Sequence, residues 1–461
     1  MDKSEMTRLG RILCLALTAS AALAVASSCS RRTPDSATPA VEPVVAPVMP
    51  RPACDPGNGG LTLPAGFCAT VFADNLGHTR HIAAAPSGDV YANTSSSKNN
   101  EMTNAPGGYI VALRDADGDG HAEVVERFGS IHQEGKPGGG TGIGVHDGAL
   151  YVEVDDKIVR YPLAAGVLSP AGEPTVVVTG LPQDGDHTMH PFAIGPSGTM
   201  FVNSGSASNA CQVKNRTLKS RGQVPCRELA TRAGIWRYDA KADGQVFSPA
   251  ARYATGMRNT VAPAVHSDGS LYSAVHGRDQ LSENWPALYT EAQNNELPAE
   301  IFSRVEEKDD FGWPQCYYDA AQGKNVLAPE YGGDGGKAQG ECGNRKRPDV
   351  AFPAHWAPEA VAFYSGTTFP AKYQGGAFVS FHGSWNRKPA QAGFLVAFVP
   401  FSGGKPSSTY EEFATGFAGP QPPADPKQAP HRPMGLAVGT DGALYVSDDV
   451  KGRIWRITYA P

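Results

Sequence analysis

The chain has 461 residues, a formal net charge of −6 and 19% charged residues, too long for one ordinary hydrophobic core and without the basic character that follows a phosphate backbone. Nucleic acid is therefore set aside as a partner. With 53 glycines and 38 prolines, about a fifth of the residues are turn formers, while 41% apolar content still supports a packed interior, a balance that argues against both wholesale disorder and a long helical bundle.

Lys3, Arg8 and Arg11 precede an apolar run over residues 12–26, the length of a signal-peptide core and too short to span a bilayer comfortably. Ala26-Ser-Ser-Cys29 is similar to a bacterial lipobox, with Ala26 where Leu, Val or Ile is usual. Residues 1–28 are read as a lipoprotein-type signal and Cys29 as a lipid-bearing first residue that attaches the chain to a membrane. A soluble periplasmic or secreted form is the alternative. Six prolines between residues 31 and 53 suit an extended spacer of roughly 70 Å over that stretch at about 3.1 Å per residue, and residues 29–53 are read as a tether. The expected address is the periplasm, or the outer membrane and cell envelope. Beyond Cys29 there are Cys54, Cys68, Cys211, Cys226, Cys316 and Cys342, an even set in an oxidising compartment. The simplest pairing is between sequence neighbours, Cys54 with Cys68, Cys211 with Cys226 and Cys316 with Cys342.

From residue 54 onward one pattern recurs: a short apolar strand, a turn with Asp-Gly or Ser-Gly, then a second strand rich in aromatic and β-branched residues. Ile82-Ala-Ala-Ala-Pro-Ser-Gly88 opens the series, and the turn glycine returns at Gly148, Gly198, Gly269, weakly at Gly376, and at Gly442. Turn residues suited to positive φ between alternating apolar positions predict hairpins. The glycines are 60, 50, 71, 107 and 66 residues apart, the range of propeller blades that carry loop insertions. The expected fold of residues 54–461 is all-β, a six-bladed β-propeller of four-stranded antiparallel blades. The long gap holds the Gly-, Pro- and Cys-rich stretch 312–353, read as an insertion rather than a seventh blade. Ring closure falls to Cys68-Ala-Thr-Val-Phe72 beside Arg453-Ile-Trp-Arg-Ile457.

Candidate chemistry lies where the repeats stop being alike. Asp115, Asp117, Asp119, Gly120, Glu123 and Glu126 occupy positions 1, 3, 5, 6, 9 and 12 of an EF-hand-like loop. Strand-like flanks make this either a calcium-binding hairpin or a solvated Asp/Gly turn, structural in both cases. Asp186-His187-Thr-Met-His190 precedes the third hairpin; a carboxylate beside a histidine suits a general base, although a surface or packing histidine is the bland reading. Arg258-Asn259 stands before the fourth hairpin and His276-Gly277-Arg278-Asp279 after it, with fork-shaped donors suited to carboxylates. His382-Gly-Ser-Trp385-Asn386-Arg387-Lys388 follows the fifth hairpin, and His431-Arg432 precedes the sixth. Each cluster alone reads as a salt-bridged loop; equivalent placement beside different hairpins allows them to converge on the propeller axis.

The stretches His190-Pro-Phe-Ala-Ile-Gly-Pro-Ser-Gly198, Asn203-Ser-Gly-Ser-Ala-Ser-Asn-Ala-Cys211, Phe311-Gly-Trp-Pro-Gln-Cys-Tyr-Tyr318, Trp356-Ala-Pro358 and His382-Gly-Ser-Trp-Asn-Arg387 resemble the soluble quinoprotein glucose and sorbosone dehydrogenases, most closely the sorbosone dehydrogenase-like branch. The resemblance runs from about Leu63 to Tyr459. It implies a six-bladed propeller that binds pyrroloquinoline quinone (PQQ) and calcium on one face and oxidises a sugar or sugar-derived aldehyde. It implies His187 as general base with Asp186 as its neighbour, and Arg258, Asn259 and Arg432 as cofactor contacts. Gly277 and Arg278 would offer backbone carbonyls to the active-site calcium. His382, Arg387 or Lys388 would stand in for a family lysine, Thr188 replaces a glutamine of the glucose-oxidising members, and Met434 replaces a second arginine. With no haem-attachment motif in the chain, the implied electron acceptor is a separate molecule. Two other readings stay open: a non-catalytic propeller that binds a glycan or a protein, and a metal-dependent lactonase-like hydrolase.

Overall fold

The structure is a computed structural model that describes residues 54–95, 107–129 and 140–460. The signal, Cys29 and the tether lie outside these residues. Six sheets of four antiparallel strands form the blades, each laid out from an inner to an outer strand. Blade 1 is Thr79–Ala84, Val90–Thr94, Ile110–Arg114 and Val124–Phe128; blade 2 is Ile143–His146, Ala149–Val154, Lys157–Pro162 and Thr175–Thr179. Gln245–Val246 adds a short parallel strand to the edge of blade 2. Blade 3 is Phe192–Ile194, Thr199–Ser204, Gly234–Asp239 and Arg252–Thr255; blade 4 is Ala262–Val265, Leu271–Val275, Glu300–Val305 and Val350–Phe352. Blade 5 is Pro358–Phe363, Ala377–His382, Phe394–Val399 and Glu411–Ala414. Blade 6 takes Pro433–Val438, Leu444–Asp448 and Ile454–Tyr459 from the C-terminal end and its outer strand, Phe67–Ala73, from the N-terminal end.

Each repeated hairpin is the inner pair of one blade. Gly88, Gly148, Gly198, Gly269 and Gly442 all hold φ between 71° and 93° in the turn, a conformation that a Cβ would penalise. The weak fifth copy differs for a visible reason. Its strands are joined by a longer loop over 364–376, where Gly375 rather than Gly376 takes the positive φ. Tyr364, Phe369 and Tyr373 fold that loop back under Phe378 as a buried aromatic cluster.

Closure pairs Cys68 with Thr458 and Val71 with Trp455, so the sheet edge that an open ring would leave exposed is paired. Phe67 and Phe72 are buried in this seam, each contributing about 2–3 kcal/mol of hydrophobic burial. The three disulfides join Cys54 to Cys68, Cys211 to Cys226 and Cys316 to Cys342. The first staples the closing strand to the segment before it. The Gly- and Pro-rich stretch is an insertion between the third and fourth strands of blade 4; it carries its own hairpin, Cys316–Asp319 with Lys324–Leu327, and its end supplies the outer strand.

Because the inner strand of every blade ends at the repeated turn, it begins on the opposite face, beside the end of the second strand. His187, Arg258 and Arg432 all precede inner strands, and His276 and His382 stand at the ends of second strands. The topology therefore delivers these residues to one face.

Candidate active site on the propeller axis

A cavity of about 430 Å³ opens on that face, with walls from blades 3 to 6; His187, Arg258, Asn259, Gly277 and Arg432 line it. Its making can be followed strand by strand. The segment before blade 3 is tied down by the Asp186 amide donating to Ala207 O at 2.9 Å and by buried Arg232 donating to His187 O at 3.2 Å. His187 then directs Nδ1 at Ser206 O, 2.7 Å away. A carbonyl only accepts, so the ring hydrogen sits on Nδ1 and Nε2 keeps its lone pair. Nε2 has no protein partner among the described residues. Burial, reinforced by the Arg258 charge, drives the imidazole well below its ordinary pKa. A neutral base with its free nitrogen on the cavity is the result. His190 has no such freedom, since its two ring nitrogens lie 2.8 and 2.7 Å from the Asn203 and Pro182 carbonyls. Gly205 packs against this centre: a Cβ there would come within 2.6 Å of both Asn259 Oδ1 and the His187 side chain.

Arg258 is buried and held at four points, by Asn209 O, Asn209 Oδ1, Gly277 O and Asp279 Oδ2, all between 2.8 and 3.0 Å. Burial opposes ionisation of Asp279, but Arg258 and neighbouring cations outweigh it and hold the carboxyl at about 2. Arg432 donates to His382 O and Gly383 O at 2.9 and 2.6 Å and lies over the Phe394 ring. Both guanidiniums are thus fixed while Nη1 of each retains hydrogens for a ligand. Two oxygens on the cavity wall, Asn259 Oδ1 and Glu359 Oε2, are buried without a hydrogen bond, the second only 4.0 Å from the Arg80 guanidinium, and a buried oxygen such as Asn259 Oδ1 is costly unless a ligand supplies what it lacks. Glu300 also faces the cavity, and burial raises the pKa of both Glu300 and Glu359.

Other expectations meet a different geometry. Asp186 does not orient His187: its carboxylate receives Arg216 Nε at 3.1 Å and Asn215 Nδ2 at 3.3 Å, and Ser206 holds the ring instead. Arg387 turns away from the axis to Ala354 O at 3.0 Å and Glu296 at 2.7 Å, where neighbouring carbonyls satisfy its donors. Lys388 is exposed, 4.0 Å from Glu291. Arg278 forms a buried pair with Glu330 at 2.6 Å behind the wall, and the Gly277 carbonyl accepts from Arg258 Nη1. Met434 is wholly buried and extends no side chain to the cavity. In the acidic loop of blade 1, ligand oxygens of Asp115, Asp117, Asp119 and Glu123 lie within 4.8 Å of one another. Glu126 is separated from them, in the outer strand opposite Ala112.

The sequence reading passed over Arg216, Glu300, His355 and Glu359 on the cavity wall. It also passed over Asp449, which accepts from Arg80 at 2.5 Å and His382 at 2.8 Å and ties blades 1, 5 and 6 together. Of these, Glu359 had a local signal, being the next residue after Trp356-Ala-Pro358.

The TrAA12-like family model matches residues 61–460. The chain belongs to the TrAA12-like family. Among solved structures, this TrAA12-like chain is similar to a Trichoderma reesei protein of carbohydrate-active enzyme family AA12, with TM-score 0.68 and 18% identity over 88% of this chain and 100% of that one. It is also similar to the PQQ domain of pyranose dehydrogenase from Coprinopsis cinerea in its holo form, with TM-score 0.64 and 20% identity over 89% and 99%. By sequence it is 28% identical over 227 residues to the PQQ-dependent pyranose dehydrogenase of Coprinopsis cinerea, 44% of this chain and 30% of that protein. An uncharacterized protein of Borreliella burgdorferi is 28% identical over 209 residues, 45% of this chain and 48% of the other. These matched stretches span less than half the length of either curated relative. The structural likenesses, below 25% identity, support the propeller fold.

Proposed function

We propose that this TrAA12-like chain oxidises a sugar or sugar-derived aldehyde with PQQ and calcium, and passes the electrons to a separate acceptor. The observation that carries this reading is the convergence of His187, Arg258, Asn259 and Arg432 on one axial cavity. The donor set fits the cofactor. Two fixed guanidiniums suit a polycarboxylate, and Asn259 Oδ1 and Glu359 Oε2, neither of which makes a hydrogen bond, suit a hard cation or a ligand donor. Relatives named as PQQ-dependent pyranose dehydrogenase support the same reading.

PQQ, bound with calcium, supplies a two-electron acceptor polarised for hydride. The chain's own residues bind and time the proton. Arg258 and Arg432 hold anionic groups in a fixed place, with no reorganisation when substrate arrives. His187 Nε2 takes the hydroxyl proton of the substrate while Ser206 keeps the ring in the right tautomer and orientation. Trp385, half-exposed at the mouth, and Arg216 beside it limit access.

The test is to add calcium and PQQ to the purified apo-protein and follow reduction of an artificial acceptor with a panel of aldoses and sorbosone. Dye reduction by at least one substrate is expected; no cofactor binding and no dye reduction with any of them would sink the reading. Glu300 and Glu359 on the wall also suit a metal-dependent hydrolase, so the same preparation with calcium alone is assayed on aldonolactones, where no turnover is expected. For the cellular address we propose export and attachment through Cys29. Cys29→Ser is expected to move the chain from the membrane to the soluble fraction, and unchanged fractionation contradicts the tether.

A further inference from the structure

The loop closed by the disulfide between Cys211 and Cys226 is an ordered hairpin. Gln212 and Gly222 form a β-bridge, the Val213 amide donates to Arg221 O at 2.9 Å, and the Gln223 amide donates to Cys211 O at 2.8 Å. Its tip and far strand rest on the protein through Lys219 N–H to Asn284 O and Gly222 N–H to Glu330 O. One residue, Arg216, reaches inward to Asp186 and Asp279 and lies 6.0 Å over Trp385, so the hairpin forms a wall of the cavity mouth.

Its outward side chains are unlike the rest of the surface. Val213, Leu218 and Val224 are 68%, 58% and 79% exposed, three of the seven large apolar residues so displayed among the described residues. Lys214, Lys219, Arg221 and Arg227 surround them, all exposed and outside every ion pair among the described residues. A rigid element that shows apolar side chains inside a charged rim has the anatomy of a protein interface. Four unpaired cations on a chain of net charge −6 set the sign of the partner.

We propose that this hairpin is the docking site for an acidic electron-carrying protein. The proposal rests on the oxidoreductase reading above. Oxidation of a CH–OH group to C=O releases two electrons and two protons. A protein acceptor is too large for a cavity of about 430 Å³, so it must collect the electrons at the mouth, which this hairpin borders. With a one-electron blue copper protein as acceptor, two Cu(II) centres are reduced to Cu(I) in succession and the two protons pass to solvent.

Oxidised acidic plastocyanin is the probe, with basic cytochrome c and a small uncharged benzoquinone as companions. Holoenzyme is compared with K214E/K219E/R221E/R227E and, separately, V213S/L218S/V224S. For the parent, kcat/KM toward plastocyanin is expected to fall about tenfold from low to physiological salt. At low salt each variant is expected to lose about tenfold or more toward plastocyanin, with unchanged benzoquinone reduction. Plastocyanin reduction by the variants at the parent rate would overturn the proposal. So would loss of binding to anionic phospholipid vesicles with plastocyanin reduction intact, which would mark a membrane-facing surface. Plastocyanin binding to the parent and variants is also measured directly by sedimentation: failure of benzoquinone reduction by the parent counts against the oxidoreductase reading, whereas equal sedimentation binding by parent and variants counts against the docking site.

Discussion

On one face of the propeller the inner hairpins turn at glycines such as Gly88, Gly148 and Gly442, and a turn from one blade would serve in another. On the opposite face the strand ends change from blade to blade, with His187 before blade 3, Arg258 before blade 4, His382 at the end of the second strand of blade 5 and Arg432 before blade 6, all lining one cavity. The two faces are built from the same strands, so the difference separates what the fold demands from what the chemistry demands. Repetition marks the first, and its breakdown marks the second.

Substitutions on the two faces should therefore fail in different ways. The largest effect expected is for His187→Ala, with kcat lower by about 10²–10⁴-fold and PQQ affinity retained; steady-state kinetics beside a cofactor titration checks this. Acid should act next, on stability. Burial lowers His81 from 6.5 to about 4 and also depresses His187, His276 and His382. The unfolded chain binds these protons first, so stability is full above pH 6.5 and falls as pH drops toward 4, by about 3 kcal/mol for His81. Thermal melts between pH 7 and pH 4 should show Tm falling throughout, and a flat Tm would show that the imidazoles of the cavity face are not buried as described. Arg432→Ala should weaken PQQ by about 10–100-fold in a cofactor titration. On the turn face the pattern inverts: Gly148→Ala meets no atom within 4 Å but must hold φ near 71°, costing about 1–2 kcal/mol and leaving turnover per folded molecule unchanged.

The sequence showed the turn face almost completely, because positive-φ glycines and alternating apolar residues are local signals. Ring closure was legible from two apolar strands at the chain ends, and the disulfides from their spacing. The cavity face was legible only in part. Arg258-Asn259 and His431-Arg432 stand at equivalent places before inner strands, which sequence order reveals. What Asp186 contacts depends on Arg216, thirty residues away, brought in by a disulfide-closed hairpin. Likewise Arg387 looks like a cofactor contact by proximity to His382, but the carbonyls that claim it, Asn295 and Ala354, come from segments 92 and 33 residues distant. Adjacent residues in a loop diverge by side-chain direction, and that direction is set by long-range partners.

The central claim is that the axial cavity is the cofactor site and that only inward-facing cations serve it. Titration of apo-protein with PQQ in calcium, followed by the cofactor's absorbance, tests it most directly. Saturable binding of one PQQ per chain is predicted, weakened about 10–100-fold in Arg432→Ala and unchanged in Lys388→Ala. Equal weakening in both variants, or no saturable binding by the parent chain, would contradict it.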